Sequence, residues 1–383
     1  MKEIVKKLIR NEKFVLGVYS VVALIIAIQK YVVNDYNNFK IFRLSFFHLI
    51  HKQNLYIEHP SEYFDLFLYN PSFAVMFAPF AVVPPLVGAC LWNLFSVLLT
   101  FFTIKALPFS HDKKVFVWWF LLIEITTAIH SYQTNTVIMC CIVLTYVFLE
   151  RDKPFIAALF PLVAFYIKGY GLIGAALFVF YPVKFKYIAS SLFWLIILGA
   201  LPLIFVTPAE FIGLYEGWFK SLQDDHKINL GVSIMGIMNN FINMSDKVIY
   251  VQLFGVLILG ITLLRDLFLK FEETIKIRLF ILAYLLLWVL LFNHNAESST
   301  YIISVAGVAL WYAYEKKSNY TLFLIWFVFI ITILGPTDLY PKSFSDKFII
   351  KSAWKAFPCF LVWLLIQYKL LFPQQELQSS LNE

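Results

Sequence analysis

The chain has 383 residues, is 61% hydrophobic and only 14% charged, and carries 41 phenylalanines and a net charge of +7. Apolar runs approaching the ~20 residues needed to cross ~30 Å of hydrocarbon point to a polytopic integral membrane protein and exclude a soluble globular domain. Lys and Arg lie mostly in short loops between those runs, the positive-inside pattern, so the charge excess does not indicate a nucleic-acid partner.

At the N-terminus, Lys2, Lys6, Lys7, Arg10 and Lys13 precede the apolar run 14–33. No small-residue cleavage site follows, so this run is expected to be an uncleaved first span with its N-terminus in the cytoplasm. Its outer end meets the polar cluster Asn34-Asp35-Tyr36-Asn37-Asn38, which puts the Asp35 carboxylate on the extracytoplasmic side.

Residues 40–53 are too short and too charged to span. Lys40, Arg43, His48, His51 and Lys52 fall on one helical face and Phe42, Phe46, Leu49 and Ile50 on another, so an amphipathic helix is expected on the outer membrane surface. His48 and His51, three apart, have a spacing that suits a metal but read as polar-face residues. The run 73–83, interrupted by Pro79 and stopped by Pro84-Pro85, is short for a crossing and is expected to be a second surface or half-inserted helix.

Lys105, Lys113 and Lys114 mark the loop after the span 86–107 as cytoplasmic. Further spans near 115–130, 136–149, 154–167, 171–183, 188–206, 247–264, 279–292, 301–314, 320–335 and 350–371 then place Arg151/Lys153, Lys184/Lys186, 265–278 and Lys316/Lys317 inside. The expected fold is all-α, with about twelve transmembrane helices and both termini cytoplasmic. The outer segments are 34–65, 130–135, 168–170, 207–246, 293–300 and 335–347. Several spans are short, which suggests a cavity opening toward the outer leaflet. The expected organisation is one polytopic membrane domain, 1–372, with a first extracytoplasmic loop at 34–85, followed by a short polar cytoplasmic tail, 373–383. Cys90, Cys140, Cys141 and Cys359 all lie in apolar runs without CxxC or Cys/His spacing, which supports neither a disulfide framework nor a zinc site.

The uncommon polar groups of the outer segments are where chemistry is expected. Transfer of a sugar from a lipid phosphate needs a base for the acceptor hydroxyl and donors for the charge growing on the departing phosphate. Asp35 is the candidate base, and Lys168 and His294 are candidates for the phosphate. A two-carboxylate hydrolase would instead use Glu297 or Asp65 as a second acid, and residue type leaves both classes open.

The order of motifs resembles integral-membrane glycosyltransferases of the GT-C fold, and among them family 87, the polyprenol-phosphate-sugar-dependent mannosyl- and arabinosyltransferases. The resemblance rests on Asp35, Asn54-Leu55-Tyr56, Leu68-Tyr69-Asn70-Pro71-Ser72-Phe73, Ala78-Pro79-Phe80, Pro84 and Leu91-Trp92-Asn93. These resemble the family order of an Asp after the first span, an "LY", a "YPP" turn, an "aP" and a "W-N". Further on, Gln133 and Asn135 resemble its "GQxN" turn, Lys168 the Lys of its "KP" turn, Ser233 a Ser after the long outer loop, and His294 the outer-loop His. Asn70 replaces the first Pro of "YPP", Tyr132 the Gly of "GQ", and Gly169 the Pro after Lys168.

The resemblance implies an inverting transferase with Asp35 as general base and Tyr69, Gln133, Asn135, Lys168, Ser233, His294 and Glu297 as donor- or acceptor-binding residues. Its partners would be a polyprenyl-phosphate-linked sugar (a mannose-like hexose or a pentose), a lipid or glycan acceptor, and membrane lipids. No nucleotide sugar, cofactor or metal is expected. Structural readings stand beside these roles: Asp35 as a helix terminator, Lys168 as a snorkelling cation, Gln133 and Asn135 as partners of turn backbone, and His294 with Glu297 as a hydrogen-bonded pair. The alternative class is a transporter or flippase of a lipid-linked or amphipathic substrate, which would place ionisable groups near the bilayer midplane; Glu124 is one of few such residues.

Overall fold

A computed structural model describes residues 2–224, 230–244, 246–269 and 275–372, so the expected tail 373–383 lies outside the described residues. The described elements are all helical. They divide into two compact units, the first formed by 1–108, 125–175 and 185–227 and the second by 109–124, 176–184 and 228–383.

The first unit begins with α1 (Lys2–Ile9) and the long apolar α2 (Glu12–Val32). Asn11 caps α2, its side chain accepting from the Lys13 and Phe14 amides at 2.8 and 3.3 Å, and Glu12 adds a negative charge at the positive end of the helix dipole. The helix ends at Asn34, which has a left-handed φ of 56°. There the Asn34 amide reaches the Tyr31 carbonyl (3.1 Å) and the Asp35 amide the Lys30 carbonyl (2.9 Å), the paired bonds of a Schellman turn. Asn tolerates the left-handed conformation that such a stop requires.

After α2 come α3 (Asn37–Ile50), the short α4 (Pro71–Met76) and α5 (Ala78–Ala81), and the span α6 (Pro85–Ala106). The segment 73–83, expected to be a second surface or half-inserted helix, forms most of α4 and α5, which pack against α3 with Phe73, Phe77 and Ala81 buried. Phe42 meets Tyr69, Phe73, Phe77 and Trp92 edge-on at ring-centroid separations of 4.9–6.4 Å, an aromatic cluster that supplies the apolar cover the sequence pattern assigned to lipid. His48 is likewise buried rather than on a solvated polar face, because the 51–66 loop folds back over the C-terminal turn of α3.

α2 packs along α6, and Lys105 near the end of α6 reaches Glu12 at the start of α2 (2.8 Å), so the two run antiparallel. The unit is completed by the C-terminal part of α7 (His111–His130), by α8 (Asn135–Glu150), α9 (Pro154–Ile167), α10 (Lys184–Gly199) and α11 (Pro208–Asp224). α8 is buried on nearly every face between α6 and α9, in keeping with its largely apolar sequence. α11 occupies much of the expected outer loop 207–246, which is therefore helical over Pro208–Asp224.

The second unit holds α12 (Ile234–Met238), α13 (Val248–Leu269), α14 (Ile275–Leu291), α15 (Ile302–Tyr314), α16 (Asn319–Phe327), the three-residue α17 (Lys342–Phe344) and α18 (Phe357–Leu371). α14, apolar all round, is its core and packs on α15 and α18. One buried ion pair crosses this core: Lys355 Nζ lies 3.0 Å from Glu124 Oε1 and donates to the Ser298 carbonyl and hydroxyl, each at 3.0 Å, over the Tyr301 ring. Each of the twelve expected spans contains helical structure, and among the described residues four helices, 12–32, 85–106, 248–265 and 354–371, are long and apolar enough to cross a membrane by length and composition. The cysteines are free, with Cys140, Cys141 and Cys359 buried and Cys90 half-buried.

Candidate active site

In the first unit the turn 131–134 between α7 and α8 joins the sequence-predicted residues. Its N-terminal side is tied to the end of α2 and the start of α3: Asn38 Nδ2 donates to the Ser131 carbonyl (2.8 Å) and Tyr132 Oη to the Ala27 carbonyl (3.1 Å). Trp92 Nε1 donates to the Tyr132 carbonyl (3.2 Å), giving the "W-N" motif a direct part in holding the turn. Tyr132 has a φ of 50° in a position where the family pattern has Gly. A bulky residue there costs ~1–2 kcal/mol, offset here by burial of the ring against Phe39 and by the bond to Ala27.

The other side of the turn faces Lys168. Its ammonium lies 3.4 Å from both Gln133 Oε1 and Asn135 Oδ1, and 5.5 Å from the centroid of the Tyr69 ring. Tyr170 Oη donates to Asn135 Oδ1 at 3.0 Å. Tyr69, Gln133, Asn135 and Lys168 thus converge, although they come from three separate segments of the chain. The half-buried ammonium thus lies against two amide oxygens and an aromatic face, a polarity suited to a negatively charged ligand. Asn135 Nδ2 is buried without a partner, so polar capacity is available beside the cation, and both amide atoms of Asn93 on α6 are likewise buried without a partner. Asn93 was singled out by its motif but not as a binding residue; only burial with an unsatisfied amide identifies it.

Asp35 follows the Schellman turn directly. Its carboxylate receives a bond from Lys30 Nζ at 2.5 Å and is 66% exposed. That bond holds the carboxyl below its ordinary range against the cost of burial, and the charges of Lys30 and His130 add to the effect. Asp35 is therefore both the residue that completes the helix stop and an ionised, accessible carboxylate.

Ser233, His294 and Glu297 belong to the second unit. Ser233 caps α12, accepting from the Gly236 amide (3.3 Å) and donating to the Leu230 carbonyl (2.6 Å). His294 Nδ1 is 3.0 Å from Gln252 Nε2. Glu297 accepts from the Ser299 hydroxyl (3.2 Å) and takes part in the capping box that opens the turn Ser298–Tyr301. The loops that carry them touch: Val232 N donates to the Ala296 carbonyl at 2.7 Å, and Gly231, at a φ of 54°, leaves no room for a Cβ against the Ala296 and His294 carbonyls.

A comparison with curated proteins gives no match. The model of glycosyltransferase family 87 matches residues 67–336. That range includes every site residue except Asp35, which lies N-terminal to it, and takes in most of both units. With more than half its length matched, this all-helical membrane chain belongs to glycosyltransferase family 87.

Proposed function

We propose that the protein transfers a sugar, a mannose-like hexose or a pentose, from a polyprenyl-phosphate donor to a lipid or glycan acceptor on the extracytoplasmic face, with inversion at the anomeric carbon. The observation that carries this reading is the convergence of Gln133, Asn135 and the Tyr69 ring on the Lys168 ammonium. In this reading Lys168 binds the donor phosphate and stabilises the charge that grows on it as the glycosidic bond breaks. Asp35 takes the proton from the acceptor hydroxyl as that oxygen attacks, and Lys30 must yield part of its bond for the carboxylate to do so. His294 and Glu297 are assigned to substrate binding, and Ser233 to the loop that presents them. The transfer itself is assigned no metal and no cofactor.

The same reading takes residues 1–372 as one polytopic domain of about twelve spans with GT-C architecture, termini in the cytoplasm and segments 34–85, 130–135 and 168–170 outside. Against transport, Glu124, the candidate midplane charge, is already neutralised by Lys355.

The test is purified protein in detergent with synthetic polyprenyl-phosphate mannose and pentose, using mass spectrometry for a new glycoside and proton NMR for its anomeric configuration. Product of inverted configuration from wild type, with none from a folded Asp35→Asn variant, is the expected result. A retained configuration, or undiminished transfer by Asp35→Asn, removes Asp35 as the base.

A further inference from the structure

Among the described residues, one set of three metal-competent side chains comes together, and it lies apart from the Lys168 cluster. His48, His59 and Glu62 have ligand atoms all within 4.8 Å of one another. We propose that these three residues bind a divalent cation of the zinc class, which fastens the 51–66 loop to the C-terminal turn of α3.

The local backbone builds the set. His48 lies in the last turn of α3, and its carbonyl accepts from the Gln53 amide (2.8 Å) as the chain reverses. The His59 carbonyl accepts from the amides of Glu62 (2.9 Å) and Tyr63 (3.1 Å), a turn that brings residues three apart to the same side. The two imidazole rings then lie 4.0 Å apart between centroids, inclined at 30°.

His48 turns its Nε2 toward the Glu62 carboxylate, so this is the nitrogen that an ion shared by the two would take in place of a proton. His48 is 2% exposed, its Nε2 is 2.7 Å from Glu62 Oε2, and its buried Nδ1 has no partner. His59 Nε2 is 2.9 Å from the Asn54 carbonyl, so that nitrogen carries the proton and the lone pair is on Nδ1. A metal-binding histidine characteristically donates its second N–H to a backbone carbonyl in this way. Two imidazoles and one carboxylate suit Zn²⁺, whose tetrahedral ligand atoms sit roughly 3.4 Å apart at bond lengths of ~2.1 Å. His59 is half-buried and Glu62 is exposed, so both can make that small closure and the ion has a way in. The Tyr63 ring packs beside both imidazoles, 5.6 Å from His59 and 6.1 Å from His48 between ring centroids, and screens that side of the set.

The ion would act on loop order and not on the transfer step. His48 is eleven residues beyond the start of α3, roughly 16 Å along its axis from the end that follows Asp35. At that first end the loop is already held by Asn37, which accepts from the Phe64 amide (2.9 Å) and donates to its carbonyl. The cation supplies the second fastening.

The experiment uses full-length protein in detergent, stripped with EDTA, dialysed and titrated with ZnCl₂, with metal content read by mass spectrometry and loop cleavage by limited proteolysis. Uptake of about one Zn²⁺ per chain, protection of the 51–66 loop, and at least a tenfold loss of affinity in both His59→Gln and Glu62→Gln are expected. Mg²⁺, which prefers oxygen ligands in octahedral geometry, should give neither effect. Stripped wild type that takes up no zinc, or variants that take it up as well as wild type does, would overturn the proposal. The wild-type titration decides this without any variant, and both substitutions avoid the buried His48.

Discussion

Asp35 illustrates how one residue serves both the backbone and the chemistry. Its amide closes the helix stop while its carboxylate pairs with Lys30, so Asp35→Asn keeps the backbone bond and loses only the ion pair. The folded-state pKa lies below the unfolded value of ~3.9, so the stability from this pair is present above that pH and is lost as pH falls through the lowered value. Because the carboxylate is mostly exposed, calorimetric or fluorescence melts at pH 7 should place Asp35→Asn within ~1 kcal/mol of wild type. For the same reason Asp35 is already ionised at neutral pH, and the acid limb of kcat/KM that it sets should fall below about pH 4. A limb near pH 6 would assign the essential base to another group. Replacing Lys168 with Met should lower kcat/KM by about 10²–10³-fold, the usual loss for one donor to a developing oxyanion.

At the scale of elements, stops and caps set where the site residues stand. Asn70 replaces a family Pro but performs the N-cap task for α4, accepting from the Ser72 amide at 2.9 Å with Pro71 at the first helical position. Asn70→Ala should cost about 1 kcal/mol in thermal or chemical unfolding. Gly231 has no such freedom: with φ at 54° and a Cβ falling 2.6 Å from the Ala296 carbonyl oxygen, Gly231→Ala must push the 230–233 loop off the 293–297 loop. A loss of about 1–3 kcal/mol is expected, with changed chemical shifts at His294 as the local readout. The stop of α2 at the Asn34–Asn38 cluster and the break at Pro84-Pro85 were legible because their signals are local. The burial of α3 and α4 was not, because an apolar face has the same pattern whether lipid or protein covers it.

For the whole molecule, the buried Glu124–Lys355 pair is the interaction whose loss should be felt most widely within the second unit. Glu124→Gln or Lys355→Met alone strands a buried charge or its donors and should destabilise by about 3–5 kcal/mol, whereas the double change Glu124→Met with Lys355→Met should recover much of it. Melts of the singles and the double measure that coupling. The proposed topology is tested in a Cys90→Ala background: Ser131→Cys should react with an impermeant maleimide in intact cells, and Asp152→Cys only after permeabilisation.

By itself the sequence determined the membrane class, the helical segments and the candidates Asp35, Tyr69, Gln133, Asn135, Lys168, Ser233, His294 and Glu297, since hydropathy, capping chemistry and motif order are properties of contiguous residues. Only the tertiary structure decided which candidates meet. Lys168 is more than thirty residues from Gln133 and nearly a hundred from Tyr69, and it is the packing of α8 against α6 and α9 that brings the turn and the lysine together. The same kind of long-range folding put His59 and Glu62 beside a buried His48 that its own helix pattern had assigned to water.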